Sequence, residues 1–186
     1  MIYTFLATGF EDIEALAPVD IMRRAGLDVE TVSITGEQVV VSAHGVGVVA
    51  DRLLSEIDFQ DAVLLFLPGG LPGATNLDAC ETLREGLRRH YEHGGLIAAI
   101  CAAPLVLGHL GLLDDHRATC YPGFETELGQ ARYTAALVEQ DGQFLTGKGP
   151  GAAFALGYAI VERLVGEGVA EQLREGMMYN FSLSCK

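Results

Sequence analysis

The sequence predicts an α/β fold, with a mostly parallel central sheet covered by helices on both faces. Two observations carry this. Short apolar runs at 1–7, 62–67 and 96–100 read as buried strands, and they alternate with stretches of helical spacing at 10–25, 79–92 and 151–165. Strands separated by helices return through crossovers, and crossovers align them in parallel. At 186 residues, a single domain over 1–186 is expected, with enough chain to bury a sizeable core.

The elements follow in order. Residues 1–7 form the first strand. In the helix at 10–25, Ile13, Leu16, Ala17 and Ile21 recur at helical spacing, and Gly26 stops it. Pro18 has no N–H to give the Glu14 carbonyl, so a kink or irregularity is expected there. The stretch 27–34 alternates like a strand. Val39–Val41 and Val46–Val49 flank Ala43-His44-Gly45, which suggests a hairpin or strand pair. The run 62–67 ends in Pro68-Gly69-Gly70, and 79–92 is a charged helix whose His90 and His93 read as part of a solvated face. Gly94-Gly95 open the strand 96–100. Cys101 follows it, then a helix with Leu105, Leu107, Leu110, Leu112 and Leu113 available for one face. Residues 117–121 suggest a short strand. Val138 and Phe144-Leu145 flank Asp141-Gly142, a hairpin turn. A largely buried helix spans 151–165 and helical pattern continues over 168–174; beyond Gly176 the pattern is ambiguous.

Composition excludes several classes. A net charge of −13 leaves no basic cluster for phosphates, so no nucleic-acid partner is expected. No apolar stretch reaches the length of a membrane span. The first seven residues lack the basic start and cleavage site of a signal peptide, so a cytoplasmic location with reduced thiols is expected. Cys80, Cys101, Cys120 and Cys185 form no C-x-x-C pair or zinc spacing, and the five histidines are scattered; no metal or organic cofactor is expected.

In open parallel sheets, ligands bind beyond the carboxyl ends of the strands. Three loops lie there: Thr8-Gly9-Phe10-Glu11, Pro68-Gly69-Gly70, and Cys101. Cys101 stands at a strand-to-helix switch, a turn that lifts a side chain toward solvent as in a nucleophile elbow, and a helix N-terminus beside sulfur favours thiolate. A buried structural thiol is the alternative. Glu14 either matches the helix dipole, with Glu11 and Asp12, or points back toward Cys101. In the second case like-charge repulsion keeps its carboxyl protonated, ready to hydrogen-bond sulfur and pass a proton. Gly69 and Gly70 form either a plain turn or a site of close backbone approach, where the Gly70 and Ala102 N–H groups make an oxyanion hole. The run Gly147-Lys148-Gly149-Pro150-Gly151 lacks the order of a phosphate loop.

Taken together, Glu11-Asp12-Ile13-Glu14, Pro18 through Gly26, Leu67-Pro68-Gly69-Gly70, Ala98 through Pro104, and Gly149-Pro150-Gly151 resemble the ThiJ/PfpI superfamily. The likeness covers nearly the whole chain and is nearest to the branch of the Parkinsonism-associated protein deglycase and its bacterial relatives. It implies a flavodoxin-like three-layer sandwich, usually a homodimer. It also implies Cys101 as an oxidation-sensitive nucleophile, Glu14 as its protonated partner, and Gly70 and Ala102 as backbone donors. The implied activities are glutathione-independent glyoxalase, turning methylglyoxal into lactate, and deglycation; redox sensing, chaperone action and peptidase activity also occur in the superfamily. The substrate class is therefore a small aldehyde or a glycated adduct. Two positions depart from the pattern. Tyr121 stands where the family carries a His, which argues against an amide hydrolase, and His44 falls where the family has an Arg. A phenol is a poor base at neutral pH, so Tyr121 either positions a substrate oxygen or packs at a strand end. For a twofold contact, Ile21 or Met22 on the first helix is expected to be exposed.

Overall fold

The computed structural model describes residues 1–179. Seven strands form the main sheet: β1 (Ile2–Leu6), β2 (Val29–Ser33), β5 (Arg52–Leu53), β6 (Leu64–Leu67), β7 (Leu96–Ile100), β10 (Val138–Asp141) and β11 (Phe144–Gly147). Their order is β10-β11-β7-β6-β1-β2-β5, and every neighbouring pair is parallel except the β10–β11 hairpin. Between them lie the antiparallel pair β3 (Val39–Val41) and β4 (Gly47–Val49), and a separate parallel pair, β8 (Arg117–Ala118) and β9 (Arg132–Tyr133). The helices are α1 (Asp12–Arg24), α2 (Gly73–Ala79), α3 (Glu81–Glu92), α4 (Pro104–His109), α5 (Ala153–Val165) and α6 (Glu167–Gly176).

Chirality places the layers. The chain steps one way from β1 to β2 and the opposite way from β6 to β7. Right-handed crossovers then put α1 on one face and α2–α3 on the other. Helix α5 joins α1, and the crossing is close because Gly157 faces Pro18 and Ile21; a methyl there would lie 2.8 Å from Ile21 Cδ1. The strands are buried on both faces, with Phe5, Leu64 to Leu67 and Ile97 to Ile100 inaccessible to solvent, which is why they read as continuous apolar runs. The strand order reverses direction between β1 and β6, so the crevice beyond their carboxyl ends is the expected ligand position.

Several local expectations need correction. The stretch 79–92 is the end of one helix and the whole of the next, broken at Cys80, whose extended backbone serves both. The helix after Cys101 has only six residues; Gly108 lies so close to the Glu127 carbonyl that α4 abuts this loop, and Gly111, with φ +70°, turns the chain. The strand at 117–121 stops at Ala118, because the Thr119 N–H donates to Thr146 Oγ1 (2.9 Å) and the Tyr121 N–H to the Cys101 carbonyl (2.9 Å). His90 is buried rather than solvated: its ring covers Gly95 and its Nε2 lies 3.0 Å from the Leu96 carbonyl. Ile21 and Met22 are also fully buried, and the exposed apolar side chains of α1 are Ile13 and Leu16. Cys185 lies outside the described residues. Among the described residues no helix is long and apolar enough to cross a membrane.

Candidate active site

The site is assembled where β1, β6 and β7 end. Cys101 leaves β7 with φ 64°, in the left-handed region. A non-glycine residue there costs about 1–3 kcal/mol, so its surroundings must hold it. They do: the Cys101 N–H donates to the Gly147 carbonyl (2.9 Å), its own carbonyl accepts from Tyr121, and the Ala103 N–H donates back to Ile100 (3.0 Å). The elbow was expected to lift the thiol toward solvent, yet only 9% of Cys101 is accessible.

Glu14 comes from the first turn of α1. Glu11 caps this turn, its Oε2 accepting from the Glu14 N–H at 2.7 Å. The Glu14 side chain is fully buried, and its Oε2 accepts from the Gly69 N–H at 3.0 Å. Its Oε1 is buried with no such partner. The Cys101 thiol interacts with the same carboxyl. Gly69 is the hinge between the two: an added methyl would sit 2.6 Å from Glu14 Oε2, and 2.7 Å from both Cys101 Cβ and the Ile100 carbonyl. Gly70 adopts φ +88°, and it and Ala102 present backbone N–H groups to the Cys101 sulfur.

The loops lock together through backbone. The Glu11 N–H donates to Gly69 O (2.9 Å) and the Gly73 N–H to Gly9 O (3.2 Å). The β3–β4 hairpin closes on the same edge through Gly9 N–H to Val41 O (2.8 Å) and Ala43 N–H to Phe10 O (2.8 Å). This brings His44 Nδ1 within 2.7 Å of Asp12 Oδ2. Donor atoms of Glu11, Asp12 and His44 all lie within 4.8 Å of one another, the arrangement among the described residues that could hold a cation.

Burial dominates the electrostatics. It raises the Glu14 carboxyl to about 7, with the Glu11 charge adding to the rise and bonds from Cys101 and Gly69 opposing it. Burial, then the Glu14 charge, push the Cys101 thiol up to about 12 against the pull of the Gly70 and Ala102 N–H groups. The helix N-terminus beside the sulfur was expected to favour thiolate; the structure instead couples the thiol to a carboxyl. The pair passes from neutral to one negative charge around neutral pH, and thiolate exists when the remaining proton sits on Glu14.

The matches to known proteins follow this geometry. The DJ-1/PfpI family matches residues 1–163. The chain belongs to that family. A DJ-1 homologue of Arabidopsis thaliana is 39% identical over 170 residues, covering 90% of this chain and 39% of the relative; the chain thus spans well under half of that protein. A Caenorhabditis elegans relative, "Glutathione-independent glyoxalase DJR-1.2", is 34% identical over 158 residues, covering 84% of this chain and 83% of the relative. The crystal structure of a DJ-1 superfamily protein from Salmonella typhimurium superposes with a TM-score of 0.90 at 35% identity, covering 95% of this chain and 97% of that one. The DJ-1 fold, a mostly parallel seven-stranded sheet flanked by helices, is therefore shared.

Of the six residues singled out from sequence, Cys101, Glu14, Gly69, Gly70 and Ala102 meet here. The Gly69 N–H is committed to Glu14, so this residue seats the carboxyl, while the Gly70 and Ala102 N–H groups face sulfur. Tyr121 is tied to Cys101 through backbone; its ring is 47% exposed and lies against Gly149. Sequence reading missed the Gly147 carbonyl that holds the elbow and the hairpin that closes the edge. Both act through backbone, which leaves no side-chain signal.

Proposed function

We propose that the protein is a cysteine-dependent enzyme acting on small reactive carbonyls, of the glutathione-independent glyoxalase type. The observation that carries this is the buried carboxyl of Glu14 beside the Cys101 thiol, with two backbone N–H groups on the sulfur. The worm relative's name supports the same reaction class.

The steps follow from the groups present. Glu14 takes the thiol proton, and the Cys101 thiolate attacks the aldehyde carbon of methylglyoxal. A C–S bond forms and the carbonyl π pair moves to oxygen, where the Gly70 and Ala102 N–H groups hold it. The carboxyl returns its proton to that oxygen, giving a hemithioacetal. Glu14, again a carboxylate, removes the proton from the former aldehyde carbon, giving an enediolate, and delivers it to the adjacent carbon, while the hydroxyl proton of the first oxygen passes to the second. This oxidises the first to a thioester and reduces the second to an alcohol. Water cleaves the thioester, releasing lactate and restoring the thiol. A glycated adduct would offer the same carbonyl chemistry. No imidazole hydrogen-bonds to Cys101 or Glu14 among the described residues, which speaks against peptide hydrolysis.

The experiment is methylglyoxal consumption, with lactate detected, by the wild type and by Cys101→Ser. Turnover confined to the wild type is expected. A wild type that alkylates at Cys101 but turns over no methylglyoxal or glycated substrate would favour a redox-sensing role. We propose further that the working form is a homodimer built on the exposed edge of α1 and the β3–β4 hairpin, where Ile13, Leu16, Val41 and Val46 lie open.

A further inference from the structure

Glu11 was grouped above with the acids that match the dipole of α1. Its surroundings assign it more. Its side chain accepts the Glu14 N–H (2.7 Å), its own N–H reaches Gly69 O (2.9 Å), and its carbonyl accepts from Ala15 (3.1 Å). A methyl on Gly70 would lie 2.4 Å from the Glu11 nitrogen, so the Gly69–Gly70 loop is seated directly on this residue. Only 9% of Glu11 is accessible, and among the described residues no Lys or Arg forms an ion pair with it. The charged and titratable groups around it are Asp12 and Glu14 on its own helix and His44 from the hairpin, and Cys101 is coupled to Glu14 in turn.

Glu11 caps the helix start, with its Oε2 on the Glu14 N–H. Glu14 lies deeper and has one N–H, from Gly69. We propose that Glu11 is a positioning residue for the Glu14–Cys101 pair. Its carboxylate fixes the turn bearing Glu14 to the Gly69–Gly70 loop, and its charge keeps the shared proton on the pair. This rests on reading Cys101 and Glu14 as the reactive centre. The Glu11 charge also adds to the rise already seen at the Glu14 carboxyl.

The test uses the pH profile of Cys101 alkylation by iodoacetamide, located by mass spectrometry, which needs no substrate. Glu11→Gln keeps an oxygen to accept the Glu14 N–H and removes the charge; the midpoint should move toward acid by about one pH unit. Glu11→Asp keeps the charge and can still cap, so its midpoint should stay within a few tenths of the wild type. In a Glu14→Gln background, Glu11→Gln should move the profile far less. A folded Glu11→Gln protein with the wild-type midpoint overturns the proposal, and so does an equal shift in Glu11→Asp. Should Glu11→Gln fail to fold, Glu11→Thr, which can still cap without a charge, takes its place: an acid shift of similar size supports the proposal and a wild-type midpoint overturns it. Loss of methylglyoxal turnover in the wild type would defeat the carbonyl reading and leave this result standing.

Discussion

At the scale of the residue, the proposed reactivity is a property of two groups. Cys101 alone is a buried thiol pushed up to about 12, which would leave almost no thiolate at neutral pH. Glu14, raised to about 7 chiefly by burial, supplies the missing acceptor. Rising pH removes the first proton from the pair, and the remaining one distributes between oxygen and sulfur. Alkylation of Cys101 should therefore climb between about pH 6 and pH 8, rather than near the ordinary thiol value of 9.0. Timed iodoacetamide labelling with peptide mass spectrometry checks this, and a single rise centred near 9 would contradict it. Gly69 is the residue on which the pair depends for space. Gly69→Ala must push the Glu14 carboxyl, Cys101 Cβ and the Ile100 carbonyl apart, since each lies within 2.7 Å of the new methyl. A loss of about 1–3 kcal/mol is expected from such overpacking. It should be read by thermal melting together with a fall in Cys101 labelling; a stable variant with unchanged labelling would show that the loop gives way freely.

At the scale of the element, glycine positions separate contact from open helix. Gly108 in α4 faces the Glu127 carbonyl, and an added methyl would lie 2.1 Å from it and 2.6 Å from Leu128 Cα. Helix propensity favours alanine by up to about 1 kcal/mol, but backbone on the far side cannot swing away as a side chain can. Gly108→Ala should destabilise by about 2 kcal/mol or more. Gly168, in the first turn of α6, has nothing within 4 Å of its would-be methyl, so Gly168→Ala should stabilise by a few tenths to about 1 kcal/mol. Urea denaturation of both variants tests the contrast, and equal effects would remove the packing argument. The same distinction explains what was legible in the sequence. The strands β1, β6 and β7 are buried on both faces, so each shows as an apolar run, and the glycine turn of the β10–β11 hairpin marks itself. Helix α2 carries Gly73, Ala74 and Asn76 and has no apolar period to display. The halt of β8 at Ala118 depends on the Thr146 hydroxyl, 27 residues away in sequence. Cys101, Glu14 and the glycine loop could be picked out by residue type and position. The burial that sets their proton affinity is a tertiary property and had no local trace.

At the scale of the whole molecule, assembly and stability both bear on the site. Ile13 and Leu16 on α1, with Val41 and Val46 on the hairpin, leave an apolar edge beside the Glu11–Asp12–His44 group. A twofold contact there would cover it. Sedimentation at micromolar concentration should give about twice the chain mass of 19.8 kDa, and a single-chain mass would exclude the homodimer. Stability carries the sharper argument, because Glu14 is an acid buried at a cost. Below pH 4.5 its carboxyl is neutral in the folded and the unfolded chain alike. Between 4.5 and about 7 the unfolded chain releases the proton while the folded one keeps it, so folding weakens by about 1.4 kcal/mol per unit as pH rises. Above about 7 both states are ionised at this residue and the loss is complete, roughly 3 kcal/mol in all. Other groups tilt the curve as well. Burial lowers the His90 imidazole, which adds stability as pH rises toward 6.5, and the net charge of −13 repels itself more strongly at high pH. Subtracting Glu14→Gln cancels those shared contributions, since Gln occupies the same space without titrating. The stability of the wild type relative to Glu14→Gln should fall steadily from pH 4.5 to 7 and level off by pH 8, as read from urea unfolding at each pH. A difference that stays constant over this range would mean that Glu14 ionises in the folded protein as readily as in water, and the proton store on which the proposed chemistry depends would be absent.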